Sequence, residues 1–384
     1  MNPPSQQAGV IPAPERPALG IRLPSVLVAD PQQAARLAEL NTRLVEGPID
    51  AARAEAERLR GLAAEGAFLR PPEGAVVVYR LGAGEHQQTG VIADVAVDDY
   101  RTGRIRRHEA TRPDRVRRME DVLAAMRWEL VPLTLTHPPL PGLQSLLAAA
   151  TERAPDVETV AADGVSQSVW IEPPGRAADD IRAELTGIDT LYIADGHHRM
   201  AAAERYAGPG DFVLGALFPA DEMRLLGYHR CLIRPGGVST SDLIDVLAAQ
   251  PMTESLREYG TDEEVTTGPG IVAMWLDDRW YRLRLRVPRT ADPCASLDVV
   301  LLEEGVLGPL AGGTGARILP LPGSGDADSI ARWCAEHDAV GFLLHPPGVS
   351  QVVAVADAGE VMPPKSTWFD PKARAGPFLR DLRR

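Results

Sequence analysis

Cysteine is scarce in this chain. Among 384 residues there are three, Cys231, Cys294 and Cys334. An odd count at wide spacing argues against a disulfide framework and offers no thiolate pair for a zinc site. Long apolar runs are missing as well: no stretch approaches the roughly 20 residues that cross a bilayer. The opening segment, MNPPSQQAGVIPAPERPALG, has neither the basic nor the apolar region of a secretory leader. These lacks together lead to the expectation of a soluble, cytoplasmic protein. Positive charge is also in deficit. Lys and Arg number 40 against 53 Asp and Glu, a net charge of −13. Such a surface repels phosphate backbones and anionic lipid, so neither nucleic acid nor membrane is expected as a partner. A local basic cluster can still hold a small anion. No internal repeat is visible.

What is present reads as an ordinary globular chain, 45% hydrophobic and 24% charged. Its length suits two domains or one elaborated α/β domain. Residues 1–20, rich in proline, glutamine and alanine, are expected to be disordered. Residues 31–60 read as two helices broken near Gly47-Pro48. AVVVYRL and TGVIADVAV form a hairpin across a polar turn. A loop then leads into a helix over Asp114 to Trp128. Further on, LVPLTLTH, SQSVWIEPP and TLYIADG read as strands, each followed by a helix. LLGYHRCLI reads as one strand, and the glycine-rich GPLAGGTGARI as a loop. Interleaved strands and helices predict an α/β, or mixed α+β, class.

Three clusters carry chemistry. The first is LYIADGHHRMAAAERYAG, Leu191 to Gly208. His197 and His198 are adjacent, so their side chains diverge, and a metal site would need distant ligands. The order strand, Gly196, helix suits an anion better. The glycine allows close backbone approach, and the helix start offers unpaired N–H groups and a positive dipole end. His198 and Arg199 add charged donors. A helix capped by Asp195 with surface histidines explains the same residues, so the local pattern leaves both open. The second cluster is GRIRRHEATRPDRVRR, Gly103 to Arg118, with seven arginines in sixteen residues. Within it, His108-Glu109 places a carboxylate in a basic patch, where it can serve as a base toward a hydroxyl group. A solvated charged loop is the plainer alternative. The third is MPPKSTWFDPK, in which Lys365, Ser366 and Thr367 suit phosphate capture, although no GxxxxGK[ST] loop precedes them. It reads equally well as a rigid tail packed on the core.

GRIRRHEATRPDR, IADGHHRMAAA and VMPPKSTWFDPK, with TGVIADVAVDDY and LDVVLLEEGVLGPL, resemble the signature segments of a bacterial family known as DUF1015, over roughly residues 70–384. That family is in turn distantly similar to the ADP-dependent free serine kinase of the ParB/sulfiredoxin-like superfamily. The kinase has His-Glu, Asp-Gly-His-His-Arg and Pro-Lys-[Ser/Thr]-Thr segments in this order. The resemblance implies a ParB/sulfiredoxin-like nucleotide-binding and catalytic core over residues 21–235, and a further α/β region over 236–384 whose tail, 362–372, returns to the site. It implies a kinase acting on a small hydroxyl metabolite, with serine or a serine-like hydroxy amino acid as the leading acceptor. Glu109 would be the base, with His108 and Asp195 beside it. Gly196, His197, His198 and Arg199 would hold the nucleotide phosphates. Arg107, Arg112, Lys365, Ser366 and Thr367 would line the acceptor and phosphate region. Mg²⁺ with ADP or ATP is the implied cofactor, Asp195 being its ligand. A nucleotide-binding regulator without phosphoryl transfer is the alternative, and a zinc hydrolase a third class. After the arginine, relatives carry an aromatic residue; here Met200, Ala201 and Ala202 stand instead.

Overall fold

A computed structural model describes residues 18–37, 44–234, 236–289 and 292–382. The expected disordered segment, residues 1–20, lies outside the described residues apart from 18–20. Alternating apolar residues and a two-residue Gly84-Glu85 turn produce the expected hairpin. Strands β1 (Val76–Ala83) and β2 (His86–Ala96) pair antiparallel, with Ala83 opposite His86. Gly84 takes φ +58°, a conformation a tight hairpin asks of its turn.

This hairpin is the middle of a nine-stranded sheet. On one side of it lie Ser166–Glu172 and the edge strand Val157–Val160. On the other lie Phe212–Pro219, β3 (Leu133–His137), β4 (Leu191–Asp195) and the short Ile105–Arg106. Ile21–Arg22 adds to β2. β4 runs antiparallel to β3 and parallel to Ile105–Arg106, so the sheet is mixed. The chain thus has the mixed α/β class that its alternation predicts. Helix α1 (Pro113–Met126) starts with proline at its first position, where no N–H is required, and buries Val116, Val122 and Met126. It packs on α2 (His197–Tyr206), which buries Met200 to Ala203.

A second, antiparallel sheet of six strands is built from His229–Ile233, Thr253–Glu258, Ile271–Leu276, Arg279–Leu285, Ile318–Leu321 and Ala339–Leu343. One hydrophobic cluster joins both sheets: Tyr79 and Ile92 of the first belong to it together with Met274 and Phe342 of the second.

Two local expectations are corrected. LLGYHRCLI is two strands that part at Tyr228. β5 (Arg224–Gly227) pairs with β6 (Thr367–Asp370), while His229–Ile233 joins the six-stranded sheet. The cause lies at Gly227, where a Cβ would sit 2.0 Å from the Leu344 carbonyl oxygen; only glycine permits that approach. GPLAGGTGARI is not a loop. Asp298–Leu302 continues through a π turn, Glu303–Leu307, into the helix Gly308–Thr314, ended by Gly315 at φ +71°. Burial of Leu307 and Leu310 outweighs the poor helix propensity of the glycines.

Candidate functional site

β4 ends at Asp195 and α2 begins at His197. Gly196 between them has φ +107°, and a Cβ there would meet Leu133 Cδ2 at 2.6 Å, so both conformation and space demand glycine. The first helical hydrogen bond runs from the Met200 N–H to the Gly196 carbonyl, 2.9 Å. The N–H groups of His197, His198 and Arg199 therefore precede the ladder and face the helix start.

The turn opens on a cavity of about 400 Å³. Nine residues singled out in the sequence line it: Glu109, Arg112, Asp195, Gly196, His197, His198, Arg199, Lys365 and Thr367. The segment after Ile105–Arg106 delivers Glu109, which bridges to Met362 of the tail. β6 and the chain just before and after it deliver Lys365, Thr367 and Lys372.

Asp195 is the anchor of this arrangement. Its Oδ1 accepts from Lys372 Nζ at 2.7 Å and its Oδ2 from Arg199 at 2.9 Å. Burial opposes its ionisation, but the two cations overcome that and hold it well below the usual carboxylate range. Glu109 behaves in the opposite way. Burial raises its pKa, and Lys365, through charge and a backbone N–H, and Lys372 counter this only in part. The two carboxyls on one cavity wall are thus driven apart, the pKa of Asp195 lowered and that of Glu109 raised.

The histidines differ in kind. His108 is buried behind the wall, and its Nε2 lies 2.9 Å from Thr367 Oγ1. Burial pushes it down to about 3, so it is neutral. His197 stacks edge-on against it at 4.4 Å, is likewise held neutral by burial, and its buried Nε2 has no hydrogen-bond partner among the described residues. His198 Nε2 accepts from the Arg112 N–H at 3.0 Å, which leaves its proton on Nδ1. Burial, with Arg115 and Lys365 nearby, lowers its pKa.

Four of the expected residues are placed away from the cavity or are already engaged. His108 supports Thr367 from behind and does not line the cavity. Arg107 opens on a different cavity, next to Tyr100 and Asp357, and Arg106 pairs with Asp357. Ser366 is buried and donates to the Pro363 carbonyl at 2.6 Å, closing its own turn. Arg199 lines the cavity, but one arm holds the Val131 and Pro132 carbonyls, at 2.6 and 2.9 Å, and the other Asp195. Asp195 was expected to bind Mg²⁺. Both its oxygens already carry cationic nitrogens, and among the described residues no group of three or more His, Cys, Asp or Glu is placed to hold a metal. This donor set does not fit a resident Mg²⁺ held by protein groups alone.

Among the lining residues that the sequence did not single out, three are polar: Arg115, Tyr228 and Lys372. Lys372 had a signal. Of the 40 basic residues, two are lysines, Lys365 and Lys372, and both are in this site. Their ammonium groups lie over aromatic rings, Lys365 5.7 Å from Tyr228 and Lys372 4.9 Å from Trp368. Lys365 also takes φ +65°, unusual for a residue with a Cβ, while its carbonyl accepts from buried Arg230 at 2.9 Å.

A family model described as a protein of unknown function, DUF1015, matches residues 25–300. The chain belongs to the DUF1015 family. No curated protein matches it. Among solved structures, it is similar to a free serine kinase variant in complex with AMP, at 12% identity and TM-score 0.40, covering 74% of this chain and 91% of that one. It is also similar to C-terminally truncated SbnI from Staphylococcus aureus, at 13% identity and TM-score 0.41, covering 74% and 87%. A conserved hypothetical protein from Pyrococcus furiosus gives 12% and 0.39, covering 76% and 95%. Likeness at this level leaves substrate and base to be argued from the DUF1015 site itself. No helix among the described residues is long and apolar enough to cross a membrane.

Proposed function

We propose that this DUF1015 protein is a nucleotide-dependent phosphotransferase acting on the hydroxyl of a small metabolite, with serine or a serine-like hydroxy amino acid as the leading acceptor. One observation carries the reading: the half-buried carboxyl of Glu109 shares a single cavity with Lys365, Lys372 and the Asp195–Arg199 turn. The helix start and the two lysines suit the phosphates of ADP or ATP. Glu109 takes the proton of the acceptor hydroxyl as its oxygen forms a bond to the terminal phosphorus. The bond from that phosphorus to the nucleotide oxygen breaks, and the nucleotide leaves one phosphate shorter. Such transfer needs positioning and charge compensation more than covalent chemistry, and these residue types supply both. Asp195 does not touch the reacting atoms in this scheme; it holds Lys372 and Arg199 in place.

A site that only binds phosphates gains nothing from a carboxylate on its wall, so the position of Glu109 beside Lys365, Lys372 and the Asp195–Arg199 turn favours transfer. The test is Glu109→Gln, assayed with serine and other hydroxy amino acids against ADP, ATP and CTP. Wild-type turnover in that variant rules out the base. Tight nucleotide binding by the wild type without turnover of any acceptor moves the protein to the regulatory class.

A further inference from the structure

A second cavity lies immediately beyond the phosphate turn. It has a volume of about 190 Å³ and is walled by α1 through Met119, Val122 and Met126, by Trp128, and by Ala202 of α2 and Leu214. Its character is opposite to that of the first. The walls are chiefly apolar side chains, and its one carboxylate, Glu129, is already held by Arg380 and by the Leu214 N–H. The two cavities meet at two residues, Met119 and Arg199, which line both. Arg199 is a fixed partition, tied on one side to the Val131 and Pro132 carbonyls and on the other to Asp195. Glu109, Lys365 and Lys372 line only the polar cavity. Along the protein the order is therefore apolar cavity, arginine partition with the helix start, then lysines and the carboxyl.

We infer that the apolar cavity receives the base of the nucleotide whose phosphates lie on the Asp195–Arg199 turn. The inference rests on the phosphotransferase reading and adds the orientation of the donor. A molecule with a flat, largely apolar ring at one end and a polyanion at the other matches this pair of cavities in both chemistry and order. With the base beyond Met119, the terminal phosphate points toward Lys365, Lys372 and Glu109, where transfer requires it. The apolar walls also set the specificity. Contact area against Trp128 and the aliphatic walls favours a purine over a pyrimidine, while few edge contacts separate adenine from guanine.

The test compares ligands that carry a base with ligands that lack one, by calorimetric titration of the full chain. ADP is expected to bind at least tenfold more tightly than inorganic pyrophosphate, and AMP at least tenfold more tightly than ribose 5-phosphate. Ala202→Leu, which fills the apolar cavity from α2, is expected to lose about tenfold in ADP affinity and to keep its pyrophosphate affinity. Because a core substitution can impair folding, the wild type supplies a second reading: ADP should quench tryptophan fluorescence, ribose 5-phosphate should not, and Trp128→Phe should remove the quench. Equal affinity for ADP and pyrophosphate, or a folded Ala202→Leu that binds ADP as wild type does, overturns the base site alone. Failure of the wild type to bind either ADP or pyrophosphate overturns the phosphotransferase reading and this inference with it.

Discussion

At the scale of single residues, the two lysines carry the most information. A chain that uses arginine almost everywhere else places lysine at 365 and 372, where a compact point charge must fit beside a carboxylate and over an aromatic face. Lys372→Arg is therefore not conservative. It is expected to weaken nucleotide binding by about 10- to 100-fold, the worth of one charged hydrogen bond, with Asp195 titrating closer to its ordinary range in the variant. Calorimetry and carboxyl NMR check the two halves. Glu109 gives a prediction about pH. Its carboxyl must be ionised to act as a base, so the acidic limb of kcat/KM, which reports the free enzyme, should lie above the ordinary carboxylate range. Glu109→Gln should lower kcat by about 10²- to 10⁴-fold and abolish that limb. Stability should move the other way. Burial raises the folded-state pKa above the unfolded one, so the carboxyl favours the fold below the unfolded pKa and loses that contribution as pH rises through the folded value. The melting temperature of Glu109→Gln relative to wild type should therefore increase between pH 4 and pH 8. Met200, which follows Arg199 on α2, has a packing role. It is fully buried, in the cluster with Leu133, Ile193 and Leu217, and does not reach the cavity.

At the scale of elements, the site depends on two glycines that let backbone approach backbone or side chain. Gly196→Ala would force a Cβ into both the left-handed region and Leu133. About 1–2 kcal/mol of backbone strain is expected, together with loss of phosphate affinity; denaturant titration and pyrophosphate binding measure them separately. The strand–glycine–helix order at this turn was legible in the sequence, because each part has a local signature. So was the β1–β2 hairpin, from its alternation and its glycine. The division of LLGYHRCLI at Tyr228 was not, since the reason is the Leu344 carbonyl more than a hundred positions away in the chain. Nor was the Gly308–Thr314 helix, which tertiary burial of Leu307 and Leu310 holds against its own propensity. The contact between Lys372 and Asp195 spans 177 residues, and no window of sequence contains it. Residue types at the site could be read locally; which of them meet could not.

At the scale of the whole molecule, the net charge of −13 and the basic cavity pull a nucleotide in opposite directions. Screening at physiological salt confines the repulsion to about 8 Å, so the local lysines and the helix start decide binding. The cavity also has a mechanical position. Its tail wall, β6, pairs with β5, which leads directly into the six-stranded sheet, while Asp195 ends a strand of the nine-stranded one. Lys372 joins the two, and the shared hydrophobic cluster runs beneath. A ligand held on both sides of this junction should stabilise both sheets together. Nucleotide at one hundred times its Kd is expected to add about 2.7 kcal/mol to unfolding of the native state, seen in scanning calorimetry as one transition that moves upward intact. Lys372→Met, which cuts the tie, should keep the single transition through the shared core yet shift less at the same nucleotide concentration. A melt that splits, with nucleotide moving only one of two steps, would mean that the sheets unfold independently and that the tail does not couple them.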